Sequence, residues 1–340
     1  MEYFSYFPNC PLVEGASHSA FYDFRTSSII RFSSELIPKL HILKNATRAA
    51  IENSEFHPGL NKLADSLIDL GIAAYTIRKN PWIDIAMPDV TTPCMPTHAL
   101  IDVAFKHHNY QKVFLELSEV GCEFIQLRIF QLPLEEDLIL ELSAAAHMAS
   151  IRGVEIIAPF RSFEDRFWLT NCLQSNGQIS GITFHSAPVQ TKDWDIVLDT
   201  GQNIRFHAKR LNSSQDCGTI TQASICAPTV SNFRILKVSN GCHAGKVGID
   251  ADGHIRNCPA SRQSFGVIGQ TPIQEVVISA SFQATWGITK DTLDGCKDCE
   301  FRYACTDCRV FINSPDVKTA KPSKCTYDPY TGNWRSNVQC

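Results

Sequence analysis

Between residues 296 and 325 the chain places five cysteines. Cys296, Cys299, Cys305 and Cys308 lie in CKDCEFRYACTDC, spaced C-x2-C-x5-C-x2-C, and Cys325 follows after sixteen intervening residues. No other stretch restricts the fold as tightly. Thiolates this close together are soft ligands suited to zinc or to iron–sulfur clusters. Upstream, Cys242 and Cys258 bound CHAGKVGIDADGHIRNC, with four residues between Gly253 and Cys258. Seven cysteines exceed what one tetrahedral metal takes, so the count predicts two centres. The competing readings are disulfides or inert buried thiols. Closely spaced pairs in a chain without secretory features read as metal ligands instead.

The rest of the composition narrows the setting. With 340 residues, 44% of them hydrophobic, the chain can form two or three domains with a large core. A net charge of -4 and the lack of a long basic run remove the electrostatic footprint of a nucleic-acid binder. MEYFSYFPNCPLVEG has no basic segment followed by an apolar one, so no signal peptide is expected. No apolar run reaches the roughly 18–20 residues that cross a bilayer. The expectation is a soluble cytoplasmic protein whose cysteines, 14 in all, are reduced and in part metal-loaded.

Three segments follow from the pattern. In residues 1–78, His18–Phe24 and Ser27–Phe32 read as a hairpin closed at Arg25-Thr26. Helices are expected over Glu35–Leu43, Thr47–Asn53 and after Pro58, giving a winged-helix-like plan suited to taking an extended peptide as an added strand. Residues 79–211 alternate strand candidates (Ala99–Phe105, Glu123–Phe130, Val154–Pro159, Ile179–Phe184, Trp194–Leu198) with helical patterns (Tyr110–Val120, Leu134–Arg152, Phe163–Leu173). That order predicts an α/β fold with a parallel sheet, a partial barrel. Residues 212–340 are richer in Cys, Gly and Pro and form the Cys-rich domain.

The Gly-x4-Cys element, then C-x2-C-x5-C-x2-C, then a final cysteine, resembles the SPASM domain of radical-SAM peptide-modifying enzymes, with x2 where many members have x3 before the sixth cysteine. The resemblance implies two auxiliary 4Fe-4S clusters. Cys296, Cys299, Cys305 and Cys325 would hold one. Cys242, Cys258 and Cys308 would supply three corners of the other, with Cys217 as first candidate for the fourth ligand, Cys226 as second, and an open iron as the third option. Zinc on four cysteines is the alternative at either position.

A radical-SAM cluster also needs C-x3-C-x2-C after the first barrel strand. Here ALIDVAF runs into KHHNYQ, and Cys94 stands alone upstream. The second strand, EFIQLRIF, leads into QLPLEED without the glycine-rich turn that receives the methionine amine. The expectation is therefore a pseudo-radical-SAM barrel with no S-adenosylmethionine. More narrowly, CKDCEFRYACTDCRVF, KPSKCTYDPYTGNW, GHIRNCPASRQSFGVIG and YFPNCPLVEGASHSAFYDF look like the grasp-with-SPASM peptide maturases. That resemblance implies a graspetide-like maturation factor for a ribosomal precursor peptide, held by its leader, working beside an ATP-grasp ligase. The alternatives are an enzyme acting through an open auxiliary iron, and a zinc-stabilised binding module. Lesser candidates are His107, His108, His185 and His207, the barrel-lining Glu123, Arg128 and Glu155, and the unclustered Cys10, Cys94, Cys122, Cys172 and Cys340.

Overall fold

The computed structural model describes residues 1–53, 59–79, 90–162, 165–188, 194–314 and 316–335; Pro58, Phe163 and Cys340 lie outside them. The chain folds as two compact units, one of residues 1–91, 219–241 and 288–340, the other of residues 92–218 and 242–287. These units cut across the boundaries expected after residues 78 and 211. The physical reason in the first unit is a shared core: Tyr22 packs on Phe233, which packs on Tyr303, so the N-terminal segment and the Cys-rich segment bury their aromatics together.

In the first unit, β1 (Tyr3–Tyr6) pairs antiparallel with β5 (Ala73–Thr76). β2 (Leu12–Val13), β3 (His18–Asp23) and β4 (Ser28–Ser33) form an antiparallel sheet in that order. The expected hairpin is β3–β4, and its turn is wider than two residues, with Ser27 at φ 52°. Helices Ile37–Leu43, Arg48–Glu52 and Leu60–Asp69 follow. The second starts where Thr47 accepts the Ala50 amide at 3.2 Å, satisfying one of the exposed first-turn donors. Leu40, Leu43, Leu60 and Leu67 close over Phe4 and Phe21.

The second unit is built on a nine-stranded sheet. Its strands are β6 (His98–Val103), β7 (Phe124–Ile129), β8 (Gly153–Pro159), β9 (Ile179–His185), β10 (Ile196–Val197), β11 (Asn203–Phe206), β12 (Lys246–Ile249), β13 (His254–Arg256) and β14 (Gly266–Val267). The order is β10-β11-β9-β8-β7-β6-β12-β13-β14, parallel from β11 through β12. The near-continuous apolar runs of β6–β9 suit strands covered on both faces. Helices Tyr110–Glu119, Glu136–Met148 and Asp165–Ser175 provide the crossovers.

Two placements differ from expectation. Trp194–Leu198 is not a parallel strand; only Ile196–Val197 pairs, antiparallel, and Asn203–Phe206 takes the place beside β9. Asp195 accepts the Phe206 amide at 3.0 Å, and Gly201, at φ 85°, lets the chain reverse. In addition, β12 pairs with β6 although it belongs to the segment assigned to the Cys-rich domain. Among the described residues no helix is long and apolar enough to cross a membrane.

Candidate metal centre

Cys296, Cys299, Cys305 and Cys325 all lie in the first unit and line one small cavity. None of the four is in a disulfide. The loop that carries them is a run of tight turns: Lys297 donates to the Leu293 carbonyl at 3.0 Å, Cys299 to Cys296 at 3.0 Å, and Arg302 to Cys299 at 3.2 Å. Cys325 is held to Ile220 by a β-bridge. Ile220, Ile225, Phe301, Tyr327 and Trp334 give the cavity an apolar wall. A segment with so little regular structure has little of its own core, and ligation is a direct source of folding energy for it.

Burial drives the electrostatics. It pushes the Cys296 thiol up to about 12, aided by Asp307, Cys305 and Cys325. Burial also raises Cys299, with the Phe301 amide opposing at 3.4 Å from the sulfur. Cys305 is raised by burial, with Lys290 opposing. Each ionised sulfur raises its neighbours, so the set is stable as thiolates only around a cation. Lys290, 3% exposed, and Lys321 add positive charge beside it. Four convergent sulfurs in an apolar, cation-flanked hollow fit a group that takes four thiolates.

Among the described residues, ligand atoms of Asp250, Asp252 and His254 lie within 4.8 Å of one another.

Beside Cys299 sits a polar knot that sequence reasoning missed. Glu300 is fully buried. Its Oε1 accepts from Arg31 Nε at 2.6 Å and from Tyr327 Oη at 2.5 Å, and Arg31 Nη2 donates to Tyr327 Oη at 2.7 Å. Tyr22 Oη donates to the Glu300 carbonyl at 2.7 Å, while Glu300 Oε2 is buried without a partner. β4 is thereby tied to the cysteine loop. A glutamate between two cysteines in CKDCEFRYAC was the available signal.

The other cysteines divide between the units. Cys308, buried, is in the first unit and its sulfur accepts the Phe311 amide at 3.5 Å; Cys226, exposed, is there too. Cys217, Cys242 and Cys258 are in the second unit. The Gly-x4-Cys element has a plain geometry. Gly253, at φ 87°, turns the chain between β12 and β13, and Cys258 follows at the end of β13. A Cβ at Gly248 on β12 would stand 2.6 Å from Pro259 Cδ and 2.8 Å from the Cys258 carbonyl carbon. Gly248→Ala is therefore expected to cost about 1–3 kcal/mol and to displace Cys258. Urea unfolding with iron analysis of the same sample checks both effects.

Also in the second unit, Asp102 on β6 and Arg128 on β7 form a buried pair at 2.7 Å. Burial, opposed by Arg128, sets the Asp102 carboxyl at about 6. A carboxyl raised in the folded state is protonated there before it is in the unfolded chain. Its contribution is thus most favourable below about pH 4 and is lost as pH rises through 6. Asp102→Asn is expected to flatten the stability profile between pH 4 and 6, as read by denaturant unfolding at stepped pH.

The lesser candidates resolve locally. His107 bonds Tyr110 Oη at 2.7 Å, and His108 donates to the Asp102 carbonyl at 2.9 Å. Glu123 pairs with Arg152 at the surface, and Glu155 accepts from Gln126 at 2.7 Å. His185 is buried and bridges to the Ile129 carbonyl at 3.1 Å; His207 is exposed. Cys10, Cys122 and Cys172 are buried in the cores. Cys94 is exposed.

No family model and no curated protein matches the chain. Two solved structures of Streptococcus suis SuiB do. One, bound to S-adenosylmethionine, has 10% identity and a TM-score of 0.34, covering 90% of this chain and 96% of its own. The other, bound to the precursor peptide SuiA, has 9% identity and a TM-score of 0.33, covering 96% and 100%. The first was solved with S-adenosylmethionine bound, which overturns the expectation of no S-adenosylmethionine. The resemblance of this chain to the SPASM-type peptide maturases stands on its cysteine motifs, and the two structures found are of a protein of that kind.

Proposed function

We propose that this chain is a maturation factor for a ribosomal precursor peptide. In this reading it carries 4Fe-4S clusters on its cysteines and works beside an ATP-grasp ligase that makes the bond. The observation that carries it is the small apolar cavity lined together by Cys296, Cys299, Cys305 and Cys325. The fold class and the motif resemblance support the rest. Bound there, a cluster supplies redox or Lewis-acid chemistry and braces the loop. This chain's own residues do the holding: the Phe301 amide donates to Cys299, and Lys290 and Lys321 offset negative charge. The three N-terminal helices and the β2–β4 sheet are a winged-helix-like element that takes the leader as an added strand, since β4 is an edge strand. Two measurements test this. Anaerobically purified protein should contain iron and acid-labile sulfide in equal amounts. Pulldown with the products of neighbouring reading frames should retain one short peptide together with a ligase. A colourless protein holding only zinc, or one that retains neither partner, refutes the corresponding half.

A further inference from the structure

At the amino ends of the parallel strands in the second unit lies a cavity of about 400 Å³ to which the proposed function gives no task. Its size is that of a small-molecule site. Alternate residues of a strand share a face. Ala99, Ile125 and Val154 belong to the apolar core, so His98, Phe124, Gln126 and Glu155 stand on the other face and line the cavity.

Strand register sets two rows of side chains across that face. In the first, Lys246 stands opposite His98, His98 opposite Phe124, and Phe124 opposite Gly153. The His98 and Phe124 rings stack at 5.3 Å with 24° between their planes. Gly153 gives the second ring room to lean over β8, since a Cβ there would stand 3.3 Å from Phe124 Cδ1. Phe124 is still 39% exposed, an uncovered aromatic surface. Burial, and after it Lys246, holds the His98 imidazole below its usual range, with Glu123 opposing, so the stacked pair is neutral at pH 7.

The second row is polar. Gln126 stands opposite Glu155, Glu155 opposite Gly181, and Gly181 opposite Asn203. Gln126 Nε2 donates to Glu155 Oε2 at 2.7 Å. The Gln126 carbonyl, Glu155 Oε1 and the Asn203 side-chain amide make no hydrogen bond among the described residues. Acceptors therefore outnumber donors beside a neutral aromatic surface. An extended peptide finds no open edge here, because the strands from β11 to β12 pair with one another. A cation stacked on Phe124 would be repelled by Lys246 in the same row. A planar ring with N–H groups along its edge has a face to stack and donors for the second row. Lys246 favours an anion on the same ligand. Two strand spacings, about 10 Å of backbone, lie between Phe124 and Lys246, which a sugar phosphate and the lysine stem together bridge.

We infer that this cavity binds a purine nucleotide, with the base stacked on Phe124 and His98, its edge held by Gln126, Glu155 and Asn203, and its phosphate at Lys246. The inference stands apart from the metal reading, so either can fail alone.

Calorimetric titration of the full chain with AMP and with GMP is the test. One of the two should bind at one site per chain. Phe124→Leu, which keeps the bulk and loses the ring, should weaken binding about tenfold or more. Lys246→Ala should weaken the nucleotide and leave the affinity for the matching nucleoside unchanged. Lys106→Ala, beyond the opposite end of β6, should change nothing. If Phe124→Leu does not fold, Glu155→Ala should give a comparable loss. Absence of heat with either nucleotide at millimolar concentration overturns the inference. Binding that neither Phe124→Leu nor Lys246→Ala moves overturns it as well, and so does a nucleoside that binds the unaltered protein as tightly as its nucleotide.

Discussion

Cys299→Ser is expected to lower the melting temperature far more than Cys172→Ser. Cys299 is one of four sulfurs around a cavity in a loop made mostly of turns, so its neighbours have no other source of order. Opening that ligand set removes folding energy tied to metal binding, and the loss should be several kcal/mol, on the order of 10 °C or more. Cys172 is buried in the apolar core of the second unit, where Asn176 Nδ2 lies 3.7 Å from its sulfur. A serine hydroxyl there has a ready partner and costs about 1 kcal/mol. Thermal unfolding of the anaerobic protein, with iron counted before and after, separates the two. Equal melting temperatures would contradict the assignment of Cys299 as a ligand.

The second large effect is expected at Arg31. Glu300 is fully buried, and Arg31 is its countercharge. Arg31→Met strands a buried carboxylate that already has one oxygen without a partner. Breaking such a pair from one side costs about 3–5 kcal/mol. The double variant Arg31→Met with Glu300→Gln removes the stranded charge and should recover most of that loss, because Tyr327 can still donate to the amide oxygen. A denaturation cycle over the four proteins measures the coupling; additive losses would show that the pair is not the reason for the instability. Because Glu300 adjoins Cys299, iron content should fall with Arg31→Met and return in the double variant.

Local pattern explains what the sequence made legible. The spacing of Cys296, Cys299 and Cys305 covers ten residues, and turns of that length must bring their sulfurs to one side. The β3–β4 hairpin and the three helices after it were likewise readable, because period and caps act within a few residues. The strands β6 to β9 announced themselves as apolar runs. Asn203–Phe206 did not, since NIRF owes its place to pairing with β9 and to Asp195 capping its end. What only the tertiary structure decided lies between residues far apart in the chain. Arg31 meets Glu300 across 269 positions, and β12 joins β6. Motif spacing fixed which atoms are able to bind metal, since ligand type and reach are local properties. Which cysteines line one cavity, and which buried charges lie beside them, is a matter of long-range packing that no single stretch encodes.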